Sequence, residues 1–313
     1  MANHFTKRNH ELLGEIYKLS LNNASIEVCQ VGATLKSLVL NGNEILMGFS
    51  DSEIPLFGQG QVLFPFPNRI SDGKYLYNGE VLQLPINEVP LNNSIHGLVR
   101  WQKWELINHL ESSITFKTET IAQPGYPFCV EILLTYSLIN SASFYAHFKI
   151  TNRTKIPVLA GVGFHPYFKL TSPIDELILH IPAKSYYLLN ERKIPIDTKS
   201  LKKTSKDFAI EKPIGSLQLD DCYSELEYNH NDLARITLKD PRAKKAIYLD
   251  VTNHFNHIMV FTADSLKGEF KRNAIAIEPM TCPPNAFNWC PDKVTLLPGT
   301  SKTASFRITY VDI

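Results

Sequence analysis

The sequence predicts an all-β protein, a large antiparallel β-sandwich with short helices only in its connections, and three observations predict it. Apolar and polar residues alternate with a period of two through much of the chain, as they do in half-buried strands. Glycine-containing turn formers separate the alternating runs. No long segment combines helical periodicity with a convincing N-cap and a glycine stop.

The elements can be justified in order. Lys74 to Tyr77, then Asn78-Gly79, then Glu80 to Leu84 reads as a type I′ hairpin, because both turn residues tolerate positive φ. Phe144, Ala146, Phe148 and Ile150 alternate with Tyr145, His147 and Lys149. The same pattern recurs with Ala234, Ile236 and Leu238 against Arg235, Thr237 and Lys239, in Ala246 to Val251, and with Phe306, Ile308 and Tyr310 against Arg307 and Thr309. Asn41-Gly42, Asp72-Gly73, Lys267-Gly268 and Pro298-Gly299 supply further turns. The lysines between Lys199 and Lys206 read as a solvated loop, with a phosphate-recognising patch as the alternative.

With 313 residues, 44% of them hydrophobic, the chain has material for an extensive core, and no linker, repeat or low-complexity tract divides it. One domain over residues 1–313 is expected. Lysine plus arginine (32) balances aspartate plus glutamate (31), so no bulk field draws the protein to nucleic acid or to a membrane. A neutral, polar small molecule is the natural partner, for a monomer or weak homodimer. The five cysteines show neither a Cys-x-x-Cys pair nor a zinc spacing, which fits free thiols in a reducing compartment. The charged amino terminus lacks a secretory signal's apolar stretch, and no segment approaches the ~18 apolar residues of a membrane span. A cytoplasmic location is expected.

Four segments set polar side chains among rigid or aromatic neighbours, as sites at strand ends do. Pro65-Phe66-Pro67-Asn68-Arg69-Ile70 offers a guanidinium, although an isolated arginine is as well explained by a surface ion pair. Ser94-Ile95-His96-Gly97 joins an imidazole to a glycine that admits close approach. Gly161 to Phe168 surrounds His165 with two glycines, a proline and three aromatics, and a structural histidine is the competing reading. Ile275-Ala276-Ile277-Glu278-Pro279 closes an apolar run on a carboxylate, which must be paired or reactive because burying a lone charge is costly. Leu219-Asp220-Asp221-Cys222-Tyr223 adds two acids, of which one can face inward if the segment is extended; a turn is the alternative.

Together these segments resemble the aldose 1-epimerase, or galactose mutarotase, family, in the family's order along almost the whole chain. Asn68-Arg69-Ile70 is similar to its Asn-Arg-Ile, Ile95-His96-Gly97 to its Leu/Ile-His-Gly, and His165-Pro166-Tyr167-Phe168 to its His-x-Tyr-Phe. Asp220 begins a match to Asp-x-x-Phe/Tyr, and Ile277-Glu278-Pro279 falls where the family carries its glutamate. The resemblance implies a mutarotase-type sandwich with an open cleft for an unmodified hexose. It also implies Glu278 and His165 as catalytic residues and Arg69, His96 and Asp220 as substrate-binding ones. Galactose-specific members follow the glutamate with Thr-Gln and later Pro-Asp, where this chain has Pro279-Met280 and Pro284-Asn285, so galactose is not the implied preference.

Mutarotation needs a proton taken from the anomeric hydroxyl and one given to the ring oxygen, for which a carboxylate and an imidazole suffice without metal or organic cofactor. Glu278 is expected as base and His165 as acid. From ordinary pKa values the productive combination of ionised Glu278 and protonated His165 fades above about pH 7, unless a carboxylate raises the histidine. Tyr167 and Phe168 could offer the sugar an apolar wall, with a place in the core as an equal reading. Three alternatives stand beside this reading: a glycosidase using Asp220 with Glu278, a non-catalytic sugar-binding domain, and a hexose-6-phosphate 1-epimerase. Neutral hexoses are expected over 6-phosphates because the motif segments contain a single arginine, Arg69.

Overall fold

The structure, a computed structural model, describes residues 4–313, so the expectation for the first residues of the amino terminus lies outside the described residues. Two large antiparallel sheets dominate it. One has nine strands, in the order Glu105–His109, Ser113–Glu119, Val130–Asn140, Ser143–Asn152, Ser301–Asp312, Lys245–Thr252, Leu233–Asp240, Ile178–His180 and Lys212–Pro213. The carboxyl-terminal strand Ser301–Asp312 lies inside it, hydrogen-bonded to Ser143–Asn152 on one side and to Lys245–Thr252 on the other. The alternating runs of the sequence are strands here, and Phe144, Ala146, Phe148, Ile236, Leu238, Phe306 and Ile308 all turn into the core.

The second sheet runs Pro195–Ser200, Ala183–Leu189, Asp220–Leu226, His257–Phe261, Ile275–Met280, Gly163–His165 and Gln61–Leu63, with Tyr167–Phe168 also paired to Ile275–Met280. The two sheets meet through aromatic contacts: the Phe164 ring lies 5.2 Å from Phe306 and 6.3 Å from Tyr136. Phe and Tyr side chains bury a large apolar area each, so such contacts account for much of the force holding sheet to sheet. A five-stranded sheet, His4–His10, Gly14–Leu21, Ala24–Cys29, Leu35–Leu40 and Asn43–Glu44, adds its inner face to the same apolar cluster.

The predicted hairpin forms, with Tyr77 opposite Glu80 and positive φ at both Asn78 (49°) and Gly79 (85°). The α-helices among the described residues are four-residue connectors, Ala286–Trp289 and Pro291–Val294, as expected of an all-β chain. None is long and apolar enough to cross a membrane. The lysine run departs from its reading as one solvated loop. Lys199 ends up on the Pro195–Ser200 strand, and Lys206 turns inward to Asp221 at 2.6 Å, drawn by a buried carboxylate that needs a partner.

Candidate active site

All six residues of Ile275–Met280 are buried, and strand alternation decides what each one meets. Ile275 and Ile277 enter the main core, while Glu278 lies opposite Met259, which in turn lies opposite Cys222. Asp220, two residues before Cys222, therefore shares the Glu278 face of the sheet, and Asp221 takes the other. The sequence left open which aspartate faces the site. Asp220 lines the cleft with Oδ2 3.0 Å from Lys193 Nζ, whereas Asp221 is held by Lys206.

His165 ends the strand Gly163–His165, where it pairs with Gln61 and places Nε2 3.4 Å from Glu278 Oε1. Pro166 interrupts the ladder because it has no N–H to donate, and Tyr167 resumes pairing against Ala276. This bend stacks the Tyr167 ring on the imidazole at 4.8 Å, and the Tyr167 hydroxyl donates to the Phe57 carbonyl at 3.1 Å. Tyr167 thus forms cleft wall, but Phe168 does not: it points to the opposite side and is wholly buried in the core. The other side of the imidazole is covered by Gly58, whose φ of +84° and missing side chain are both required. A Cβ there would stand 3.0 Å from His165 Cδ2.

His96 follows the short strand Asn93–Ile95 and presents its ring edge-on to His165, centroids 5.3 Å apart. Its own φ is +64°, and its N–H donates to the Asn68 carbonyl, tying the two motif segments together. Arg69 donates from Nε and Nη2 to both oxygens of Glu88, at 2.8 to 3.1 Å. All five residues singled out from the sequence, Glu278, His165, Arg69, His96 and Asp220, line one cavity of about 330 Å³, which is the size of a small-ligand site. A second cavity of about 620 Å³ adjoins it, sharing Arg69, Glu88, Asp220, Phe261 and Ser265.

Burial governs the protonation of this site. It pushes His165 down to about 3, with the Arg100 and Arg69 charges acting in the same direction, and it drives Glu278 well above the usual carboxylate range, aided by Asp220. His96 is pushed well down by burial and then by Arg100. Both shifts run against the expected combination of an ionised Glu278 and a protonated His165. At the 3.4 Å contact burial acts against charge on both partners, favouring an uncharged imidazole beside an uncharged carboxyl. Glu278 Oε2, His165 Nδ1 and His96 Nδ1 are buried without hydrogen-bond partners in the protein, three unsatisfied polar atoms of one cleft. Buried polar groups are normally paired, so such clustering marks a place where a polar ligand supplies the missing bonds.

The aldose 1-epimerase family model matches residues 15–309 of the chain. The chain belongs to the aldose 1-epimerase family. It is similar to the uncharacterized protein YihR of Escherichia coli (strain K12), 30% identical over 302 residues that span 96% of this chain and 94% of that one. It is 24% identical to the aldose 1-epimerase of Haemophilus influenzae, over 86% of this chain and 87% of its relative. Among solved structures, galactose 1-epimerase from Lactobacillus acidophilus NCFM superposes with a TM-score of 0.83 over 100% of this chain and 99% of its own, at 19% identity.

Several cleft residues carried no signal in the sequence of this epimerase-family chain. Glu88 meets Arg69 only because Asn93–Ile95 pairs with Arg69–Ser71 and folds the intervening loop back. Gly58, Arg100 and Lys193 reach the site from loops outside every motif. Arg100 was the most accessible of these, since it stands four residues beyond His96 in an otherwise apolar stretch.

Proposed function

We propose that the protein is a mutarotase acting on a free aldohexose, interconverting its α and β anomers through Glu278 and His165. The observation that carries this reading is the 3.4 Å pair itself, buried and with unpartnered polar atoms facing a cavity of about 330 Å³. In the bound cyclic sugar the pair's proton sits on His165. Glu278 then removes the C1 hydroxyl proton while His165 gives its proton to the ring oxygen, the C1–O5 bond breaks, and the aldehyde forms. Afterwards Glu278 is protonated and His165 neutral, which is the state that burial already favours in the empty site. Rotation about C1–C2 and the reverse transfers give the other anomer. Arg69, His96 and Asp220 hold ring hydroxyls in register for these short proton movements.

Neutral sugars are favoured over 6-phosphates because two of the lysines beside the cleft, Lys193 and Lys206, are engaged by Asp220 and Asp221. Polarimetry on glucose, galactose and glucose 6-phosphate at matched concentration tests the proposal, with the spontaneous rate subtracted. Acceleration of a neutral aldose that the Glu278→Gln protein lacks is the expected result. A large preference for the phosphate, or no acceleration with any aldose, would overturn it.

A further inference from the structure

Two arginines line the cleft, and their circumstances differ. Arg69, the motif arginine, is neutralised by a two-pronged bond to Glu88. Arg100 has no carboxylate partner among the described residues. Its Nη1 donates to the neutral Gln61 amide (3.0 Å), its Nε is buried without a partner, and its guanidinium lies 5.8 Å from the centre of the Trp101 ring. Burial pulls even this guanidinium down to about 10, with no acid nearby to offset it. A half-buried charge without a counter-ion is costly and is retained where its field does something.

That field falls on the imidazoles. His165 is faced by Glu278 from the Ile275–Met280 strand, His96 from the loop after Asn93–Ile95, Tyr167 from its own bend and Arg69 from Arg69–Ser71, and Arg100 lines the same cleft, bonded to Gln61, the residue paired with His165. Among the other charged neighbours, Arg69 acts on His165 in the same direction but is paired with Glu88, Asp220 acts on Glu278 but is paired with Lys193, and Glu278 shares the proton in question. Desolvation disfavours the charged forms of both His96 and the buried Tyr167. Arg100 is left as the fixed, uncompensated charge of the group. We propose that Arg100 is a positioning residue of the proton-transfer pair: its uncompensated charge, in the same cleft wall as His96 and His165, fixes which of Glu278 and His165 holds the proton. The inference rests on the reading of those two residues as the proton-transfer pair. A cation beside an imidazole disfavours imidazolium, so Arg100 keeps the resting proton on Glu278 and leaves His165 free to receive it only when a polar substrate fills the cleft.

Ring C–H NMR of the histidines, with His165 assigned by its loss in His165→Asn, tests this directly. With the titration carried down to pH 3, His165 in the wild type and in Arg100→Lys should begin to protonate only at the acid end, its midpoint at about 3. In Arg100→Met, which keeps length but not charge, the His165 midpoint should rise by about one pH unit or more. Arg100→Gln, still able to hydrogen-bond toward Gln61, serves if the methionine variant does not fold. An unchanged His165 titration in a folded, uncharged variant would overturn the proposal. The measurement needs no turnover. A wild type inactive on every aldose but with a responsive His165 would therefore sink the mutarotase reading and leave this one standing. An active wild type with an unresponsive His165 would do the reverse.

Discussion

The two large sheets treat buried polarity in opposite ways. In the nine-stranded sheet each deeply buried acid is matched: Glu131 by Lys117 and Arg153, Asp250 by Arg235, and Asp240 by the N–H and hydroxyl of Ser172. In the other sheet and the loops over it, Gln61 Nε2, His165 Nδ1, Glu278 Oε2, Arg100 Nε and His96 Nδ1 have no partner. Among the described residues, none of the buried unpartnered side-chain atoms belongs to the nine-stranded sheet. One sheet is satisfied within itself and supplies stability. The other leaves the Tyr223 hydroxyl unpartnered in the core and gathers most of its remaining unsatisfied atoms at the cleft, which is what a preorganised polar site requires before its ligand arrives.

If that division holds, changes at the cleft should remove activity and spare the fold. Glu278→Gln and His165→Asn are each expected to reduce catalysed mutarotation on the order of 10²- to 10⁴-fold, about 3 to 5 kcal/mol of barrier. Combining them should cost much less than the sum, because either loss already breaks the relay. Thermal unfolding should change little, since both variants replace groups that are not fully paired. Near-normal rates in a folded single variant, after subtraction of the solvent rate, would dismiss that residue's role.

The converse belongs to the nine-stranded sheet. Phe148, fully buried, packs near Phe164, Phe255 and Phe306, and Phe148→Ala should cost about 3 to 5 kcal/mol of stability. The turnover number of the protein that remains folded should be unchanged. Denaturant titration beside active-site-normalised kinetics separates the two quantities, and a loss of turnover equal to the loss of stability would blur the distinction between the sheets.

The same contrast explains what was legible in the sequence. Strands such as Ser143–Asn152 and Ser301–Asp312 announce themselves, because one face is apolar, the other wet, and period-two alternation is the direct consequence. Ile275–Met280 is buried on both faces and does not alternate, so Glu278 was visible only as a carboxylate in an apolar run and through family resemblance. Its register against Met259, and hence its presence on the Asp220 face, depends on strands far apart in the chain. The downward shift of His165 was not legible for a related reason. Ordinary pKa values assume water, and neither the burial of the imidazole nor the field of Arg100 is encoded near residue 165.

Asp220 and Asp221 permit a comparison within two residues. Asp220→Asn should weaken substrate handling by about 1 to 3 kcal/mol, roughly tenfold to hundredfold in kcat/KM, because a carboxylate aimed into the cleft loses its charge-assisted bonds. Asp221→Asn, on the opposite face and bonded to Lys206, should act on stability and leave kcat/KM close to wild type. Equal kinetic effects from the two substitutions would mean that the face assignment does not separate their functions.

The last expected effect concerns a buried polar cluster of the cleft-bearing sheet that lies away from the proton-transfer pair. His257 is held between Tyr187, whose hydroxyl is 3.2 Å from Nε2, and Asn256, whose Oδ1 is 2.5 Å from Nδ1; burial, helped by Lys293, pushes it down to about 3. The unfolded chain binds a proton here below about pH 6.5, which the native state refuses until about pH 3, so stability falls with falling pH throughout that window. His165 contributes in the same sense. Glu278 contributes oppositely, since its raised value makes the native state hold a proton that the unfolded chain releases above about pH 4.5. His257, with no acid sharing its proton, gives the cleaner signal. His257→Gln retains a partner for Tyr187 but cannot ionise, so its stability should fall less between pH 6.5 and 4.5, by up to about 1.4 kcal/mol per pH unit. Denaturant midpoints of wild type and variant at the two pH values measure the difference, and parallel declines would show that His257 is not a source of the acid sensitivity.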